Sequence, residues 1–155
     1  MIGLLQRVSG ASVAVNRKII ARIDTGLLVF VGVEKDDTGT QADRLLERLL
    51  GYRVFPDAAG RMNLCLTDIG GGLLLVPQFT LPADTRKGMR PSFSSAAPPE
   101  KGRQLFEYLL DQARERYARV EAGEFGADMK VTLTNDGPVT FWLQIKSSDK
   151  SQVKS

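Results

Sequence analysis

The chain has 155 residues, 43% of them hydrophobic and 25% charged, with a formal net charge of +3, the proportions of one soluble globular domain long enough to bury a core. It contains no His and a single cysteine, Cys65; this removes Ser-His and Cys-His catalysis, removes an internal disulfide, and leaves too few ligands for a zinc site. No apolar run approaches the ~18 residues of a membrane span, the mixed N-terminus MIGLLQRVSG reads as a strand and not as a signal peptide, and a lone thiol fits a reducing, cytoplasmic setting.

In chain order, residues 2–8 and 11–15 read as short strands, Asn16-Arg17-Lys18 as a turn, and residues 19–23 as a returning strand. Asp24-Thr25-Gly26 forms a second turn before the apolar run 27–33, which has the length of a central strand. After the charged loop 34–39, Thr40 is placed to cap a helix to Leu50, with Ala42, Leu45, Leu46, Leu49 and Leu50 on one face and Gly51 ending it. Strands are expected at 52–55 and 62–66 around the turn 56–60. Gly70-Gly71-Gly72 interrupts the chain before a strand from Leu73 to Leu81. Residues 82–97, punctuated by Pro82, Gly88 and Pro91, form a long loop of the kind that often carries function. Pro98-Pro99-Glu100 opens a second helix with an apolar stripe from Leu105 to Tyr117, and strands at 128–134 and 139–145 flank Asn135-Asp136-Gly137-Pro138. The sum is an α+β fold: mostly antiparallel strands in a curved sheet or barrel, with two covering helices. One domain spans residues 1–145, and the polar segment 146–155 is expected to be disordered.

Two stretches are candidates for chemistry. Gln78-Phe79-Thr80 follows the apolar run; it is either a strand end with outward polar neighbours or a place where backbone N–H groups and a hydroxyl meet a carbonyl oxygen. Thr80 as a nucleophile would need a base, and none is adjacent in sequence. Asn135 to Thr140 is either a turn or, if Gly137-Pro138 is cis, a stiff tip without side-chain bulk. Arg86, Lys87 and Arg90, with Arg7 and Arg53, are candidate phosphate ligands or a solvated surface. A pI of about 9.2 permits a nucleic-acid partner without requiring one. Phe125 and Met129 serve either to stack on a flat ring or to fill the core.

MIGLLQRVSGASV, LLGYRVFPDAAGRMNL, PQFTLPADTRKGMRPSFSSAAPP and FGADMKVTLTNDGPVTFWL together resemble the D-aminoacyl-tRNA deacylases of the bacterial and eukaryotic type. The likeness covers about residues 1–145 and is carried by two blocks, Pro77-Gln78-Phe79-Thr80 and Asn135 to Thr140. It implies hydrolysis of D-aminoacyl-tRNA, and of some glycyl-tRNA, with L-aminoacyl-tRNA rejected. It also implies a homodimer whose active site lies at the interface, bound to the aminoacyl-tRNA 3′ end, with no metal or organic cofactor. Gly137-Pro138 would be cis and act as a chiral filter in the partner's pocket, with Arg7 fixing the tip. Gln78, Phe79 and Thr80 would form the catalytic block, main-chain groups around Phe79 and Thr80 would hold the substrate's amino group and carbonyl, and Phe125 and Met129 would flank the terminal adenine. The chain departs from the family at Pro77, where a serine is usual; a hydroxyl and a backbone donor are lost. The alternatives are an editing module for mischarged L-aminoacyl-tRNA, a non-catalytic nucleic-acid-binding dimer, and a structural dimer silenced by Pro77.

Overall fold

A computed structural model describes residues 1–147; of the polar tail expected at 146–155, all but Lys146 and Ser147 lies outside the described residues. Strand β1 (Ile2–Val15) is the backbone of the sheet. On one edge it pairs antiparallel with β3 (Gly26–Gly32) through Ile2–Val8 and with β2 (Lys18–Ile23) through Ala11–Val15. Its other edge is occupied along its length by β8 (Met129–Gln144). Strand β6 (Gly72–Pro77) adds parallel to β3, and β7 (Val120–Ala122) adds parallel to β6. Because β2 packs back over β6 and β7, this mixed sheet nearly closes into a barrel. Helices α1 (Gly39–Gly51) and α3 (Pro99–Arg116) pack together over one face. The small hairpin β4 (Phe55–Pro56) and β5 (Met62–Leu64) and the one-turn helix α2 (Leu66–Ile69) link α1 to β6. Among the described residues, no helix is long and apolar enough to cross a membrane.

The central strands are continuous apolar runs because both of their faces are covered. Leu27, Val29, Val31, Leu73 and Leu75 meet the helices, with Leu45, Leu46, Leu49, Phe106 and Leu109. Leu28, Leu74 and Val76 point the other way into a second core with Val8, Ala11, Val13, Ala21 and Ile23. Gly26 and Gly72 lie side by side where β3 and β6 begin; a Cβ on Gly26 would stand 2.0 Å from the Gly72 carbonyl oxygen. The Tyr117 hydroxyl donates to the carbonyls of Gly71 (2.5 Å) and Leu66 (3.3 Å), fixing the glycine run.

Several expected boundaries move, each for a physical reason. The strands at 2–8 and 11–15 are one strand, with the register shifting between Val8 and Gly10; this bulge turns Leu5 toward the helices and Ala11 and Val13 toward the second core. Helix α1 is capped two residues earlier than expected, at Thr38 instead of Thr40. Thr38 caps it, its hydroxyl accepting from the Thr40 amide while the Gln41 side chain accepts from the Thr38 amide at 2.7 Å. Gly51 does not end that helix in a left-handed turn; the chain leaves through extended Tyr52. The strand expected at 52–55 shrinks to β4, part of the one at 62–66 becomes α2, and β7 is too short to leave a period in the sequence. Among the described residues there are three helices and two parallel strand pairs.

The Met1 ammonium is fully buried and donates to Asp37 (2.7 Å), Glu34 (3.1 Å) and the Ile145 carbonyl (2.6 Å), tying β1 to the loop before α1 and to the end of β8. Burial pushes the Asp37 carboxyl above its ordinary range, and the ammonium and the Glu34 amide beside it pull the other way. Removing one member of a buried pair strands the other charge, at a cost of about 3–5 kcal/mol. Asp37→Ala is therefore expected to lower the thermal midpoint followed by circular dichroism by roughly 6–20 °C. Glu34→Gln, at a carboxylate 22% exposed, should lower it less.

Candidate functional site

Strand β6 stops at Pro77, not at Leu81 as its sequence suggests, because the chain turns where it passes the end of β3. The Gln78 amide donates to the Val31 carbonyl (2.9 Å), Leu81 N to the Gln78 carbonyl (3.2 Å) and Ala83 N to the Thr80 carbonyl (3.1 Å). The turn packs on Gly32, where a Cβ would stand 2.8 Å from Pro82 Cδ and 3.0 Å from Leu81 Cβ. Phe79 is held outward, 70% exposed, against Phe93 with ring centroids 5.7 Å apart. The amides of Phe79 and Thr80 have no acceptor among the described residues. Gln78 Nε2 donates to Thr80 Oγ1 at 3.0 Å. An amide nitrogen removes no proton, so Gln78 leaves the hydroxyl able to donate and does not make it a nucleophile. The turn thus offers hydrogen-bond donors to an oxygen that gains charge, the requirement for stabilising an oxyanion.

Pro77 stands at the last rung of the ladder between β6 and β7 and has no N–H to donate. Odd-numbered residues of β6 pair toward β7: Leu73 N donates to the Arg119 carbonyl and the Leu75 carbonyl accepts from Gly123 N. The next rung of this parallel ladder would run from residue 77 N to the Gly123 carbonyl; Pro77 cannot make it, and β7 ends at Ala122.

The second block is not a turn between two strands. It is a wide bulge inside β8: Gln6 pairs with Thr140 and Val8 with Asn135, so residues 136–139 stand opposite Arg7 alone. The Gly137-Pro138 bond is cis. Arg7 Nε donates to the Asp136 carbonyl (3.0 Å), and Arg7 Nη1 donates to the Val54 carbonyl (2.6 Å). Asn135 braces the far side: its Oδ1 accepts from Val139 N (2.9 Å) and its Nδ2 donates to Thr140 Oγ1 (2.8 Å). Gly137 has φ +133°, and a Cβ there would lie 2.7 Å from Val139 Cγ2 and 3.0 Å from Arg7 Nη2. The tip is therefore fixed, exposed and necessarily without a side chain at 137. The roles of Asn135 and Val54 do not follow from sequence. Asn135 reads equally as a turn residue, and Val54 contributes only a carbonyl, for which no residue type is a signal.

Within one chain the two blocks do not meet. The tip lies at the level of Arg7, Leu27 and Leu73, whereas the turn continues from the level of Gly3, Val31 and Pro77. That is four residues, about 13 Å, along the strands, and three strand spacings, about 14 Å, across them. Phe125 and Met129 lie on the Pro77 side. A Cβ on Gly123 would touch Met129 Sδ (2.8 Å) and Pro77 Cδ (3.4 Å), and Glu124 N donates to Met129 Sδ. Phe125 packs toward the helices under Arg103, whose guanidinium carbon is 5.0 Å from the ring centroid, and Met129 packs toward the second core. The two side chains straddle their segment and do not face each other. Two clefts of about 290 and 410 Å³, both lined by Arg22, Ile23 and Asp24, contain none of the candidate residues.

Residues 4–144 match the family described as D-Tyr-tRNA(Tyr) deacylase. A protein of Pseudomonas putida strain KT2440 named D-aminoacyl-tRNA deacylase is 65% identical over 145 residues, covering 94% of this chain and all of the relative. Among solved structures, the c-Myc DNA Unwinding Element Binding Protein superposes with a TM-score of 0.91 at 35% identity, covering 95% of this chain and 100% of its own. A structure described as "Structural Analysis of a probable eukaryotic D-amino acid tRNA deacylase" has a TM-score of 0.82 at 18% identity over 93% of this chain and 98% of its own, a likeness of fold.

The loop beyond the turn is braced by Asp84, whose carboxylate accepts from Arg86 Nε (3.0 Å), Nη2 (2.8 Å) and the Arg86 amide (3.0 Å). These bonds to Arg86 hold the Asp84 carboxyl at about 2. A depressed carboxylate pKa contributes stability that is present above the unfolded value near 3.9 and is lost as pH falls through about 2. A carboxyl carbon titration by NMR is expected to place Asp84 near 2 in the protein as it stands. In Arg86→Ala the midpoint should rise toward the ordinary carboxylate range.

Proposed function

The chain belongs to the D-Tyr-tRNA(Tyr) deacylase family and is a hydrolase, a D-aminoacyl-tRNA deacylase; we propose that its site is completed by a second copy of the chain, with Gly137-Pro138 of one protomer acting as the chiral filter in the pocket of the other. Water adds to the ester carbonyl, the bond to the ribose oxygen breaks, and the free D-amino acid and tRNA leave. An aminoacyl ester is already activated, and the neighbouring ribose hydroxyl assists the attack, so the protein has to orient the ester and stabilise its oxyanion. The unpaired Phe79 and Thr80 amides supply those donors, and the Thr80 hydroxyl, accepting from Gln78, helps hold the turn. Phe125 and Met129 flank the terminal adenine.

The observation that carries the filter is the tip itself, held by Arg7 and Asn135 with no room for a Cβ at 137. A rigid main-chain prong excludes an L-side chain by contact and leaves a D-side chain free, which is specificity by rejection. Glycine, having no Cβ, escapes that rejection. The dimer reading is supported by the separation of tip and turn within one chain and by an apolar row away from the helices. That row runs from Trp142, 52% exposed, through half-buried Leu4 to half-buried Phe30, a surface suited to a second copy.

Hydrolysis of D-tyrosyl-, L-tyrosyl- and glycyl-tRNA is the test. The expected order is fast cleavage of the D-ester, measurable cleavage of glycyl-tRNA at high enzyme, and none of the L-ester; a protein that binds tRNA without cleaving any ester would overturn the reading. Thr80→Ala should retain most of the single-turnover rate. Gly137→Ala should lose ~10²-fold or more, the scale set by misplacing a positioning group by about 1 Å. Pro77→Ser should remain within several-fold of the parent, since the Gln78–Thr80 turn forms without a donor at that position.

A further inference from the structure

Past the candidate turn, the loop closes into a small hairpin. Asp84 N donates to the Ser92 carbonyl (2.7 Å) and Ser92 N to the Asp84 carbonyl (2.9 Å). This pins an exposed tip, Thr85-Arg86-Lys87-Gly88-Met89-Arg90-Pro91. The turn at Gly88 uses a left-handed φ of +70°. The stem is fastened to the candidate site on one side by the Phe93–Phe79 contact and on the other by the Lys35 amide, which donates to the Ser95 carbonyl.

The three cations of this tip are not equivalent. Arg86 is spent on Asp84, the only acid in residues 82–97. Lys87 and Arg90 are exposed and have no ion pair or hydrogen bond among the described residues. Two free cations on a preformed, side-anchored hairpin next to an ester site face a substrate whose remaining bulk is polyanionic. From this charge complementarity we propose that Lys87 and Arg90 each neutralise a backbone phosphate of the tRNA acceptor strand, close to its aminoacylated end. Arg86 is the internal brace that holds the hairpin in shape and makes no such contact. The contact is blind to base identity, so it strengthens binding of any aminoacyl-tRNA and leaves the choice between D- and L-esters to the filter. The inference rests on the reading of the chain as a tRNA deacylase.

Each single-strand phosphate contact contributes about −0.7 to the slope of log affinity against log salt. Two contacts contribute about −1.4, or roughly sevenfold over the fourfold span from 50 to 200 mM KCl. KM and kcat for D-tyrosyl-tRNA, and Kd for uncharged tRNA, are measured across that span for the protein and for K87A/R90A. The expected result is a higher KM and Kd at 50 mM KCl, a slope shallower by about 1.4, unchanged kcat, and restoration by K87R/R90K. Identical KM, Kd and slope in the two proteins would overturn the inference, as would a loss confined to kcat or a loss that K87R/R90K fails to restore. If the unaltered protein cleaves no D-tyrosyl-tRNA, it is the deacylase reading that fails, and the Kd slope for uncharged tRNA still decides whether these two side chains meet phosphate.

Discussion

Opposite Arg7 the pairing of β1 with β8 gives way, and much of the molecule's useful geometry follows from that break. A strand that passes four residues opposite one must bulge, and the bulged peptides lose their ladder partners. Here Arg7 and Asn135 replace those partners with side-chain bonds to the Asp136 carbonyl and the Val139 amide. The guanidinium also reaches the Val54 carbonyl, so the tip is referenced to the segment after α1 as well as to its own sheet. A tip held from two directions, with φ +133° at its glycine, has the rigidity that a steric gauge requires.

The rest of the proposed site complements that rigidity with simple chemistry. The turn after β6 offers two unpaired amides and a hydroxyl that already accepts from Gln78. No group in this set is a strong base, which suits a substrate whose ester is reactive and whose own ribose hydroxyl lies beside the scissile bond. In this division of labour the protein contributes orientation, oxyanion stabilisation and exclusion. Those are functions that backbone can perform, and a chain without histidine can supply them.

Tip and turn lie three strand spacings apart, with β1 and β3 between them. The apolar row of Trp142, Leu4 and Phe30 runs outward from the edge of the second core, against which Phe30 packs and which Val8, Val13 and Ile23 fill. In the proposed dimer, a second copy completes both the barrel and the site.

Much of this was legible in the sequence. The runs at 27–33 and 73–77 read as central strands because strands covered on both faces lose their alternation, and the two long helices declared themselves through apolar stripes. The motif residues carried the likeness to a family, and with it the cis bond at Gly137-Pro138. Tertiary structure alone decided that Gly10 marks a bulge and not a break, that β6 ends at Pro77 where β3 and Gly32 force a turn, and that the donor missing at Pro77 falls at the last rung of the β6–β7 ladder. It alone decided which of the three loop cations is neutralised by Asp84, and that Val54 lends Arg7 a carbonyl. Local periodicity and residue type are properties of neighbours along the chain. Which hydrogen-bond partners remain free, and which charges stand unopposed, depends on residues distant in sequence that meet only when the sheet has curled.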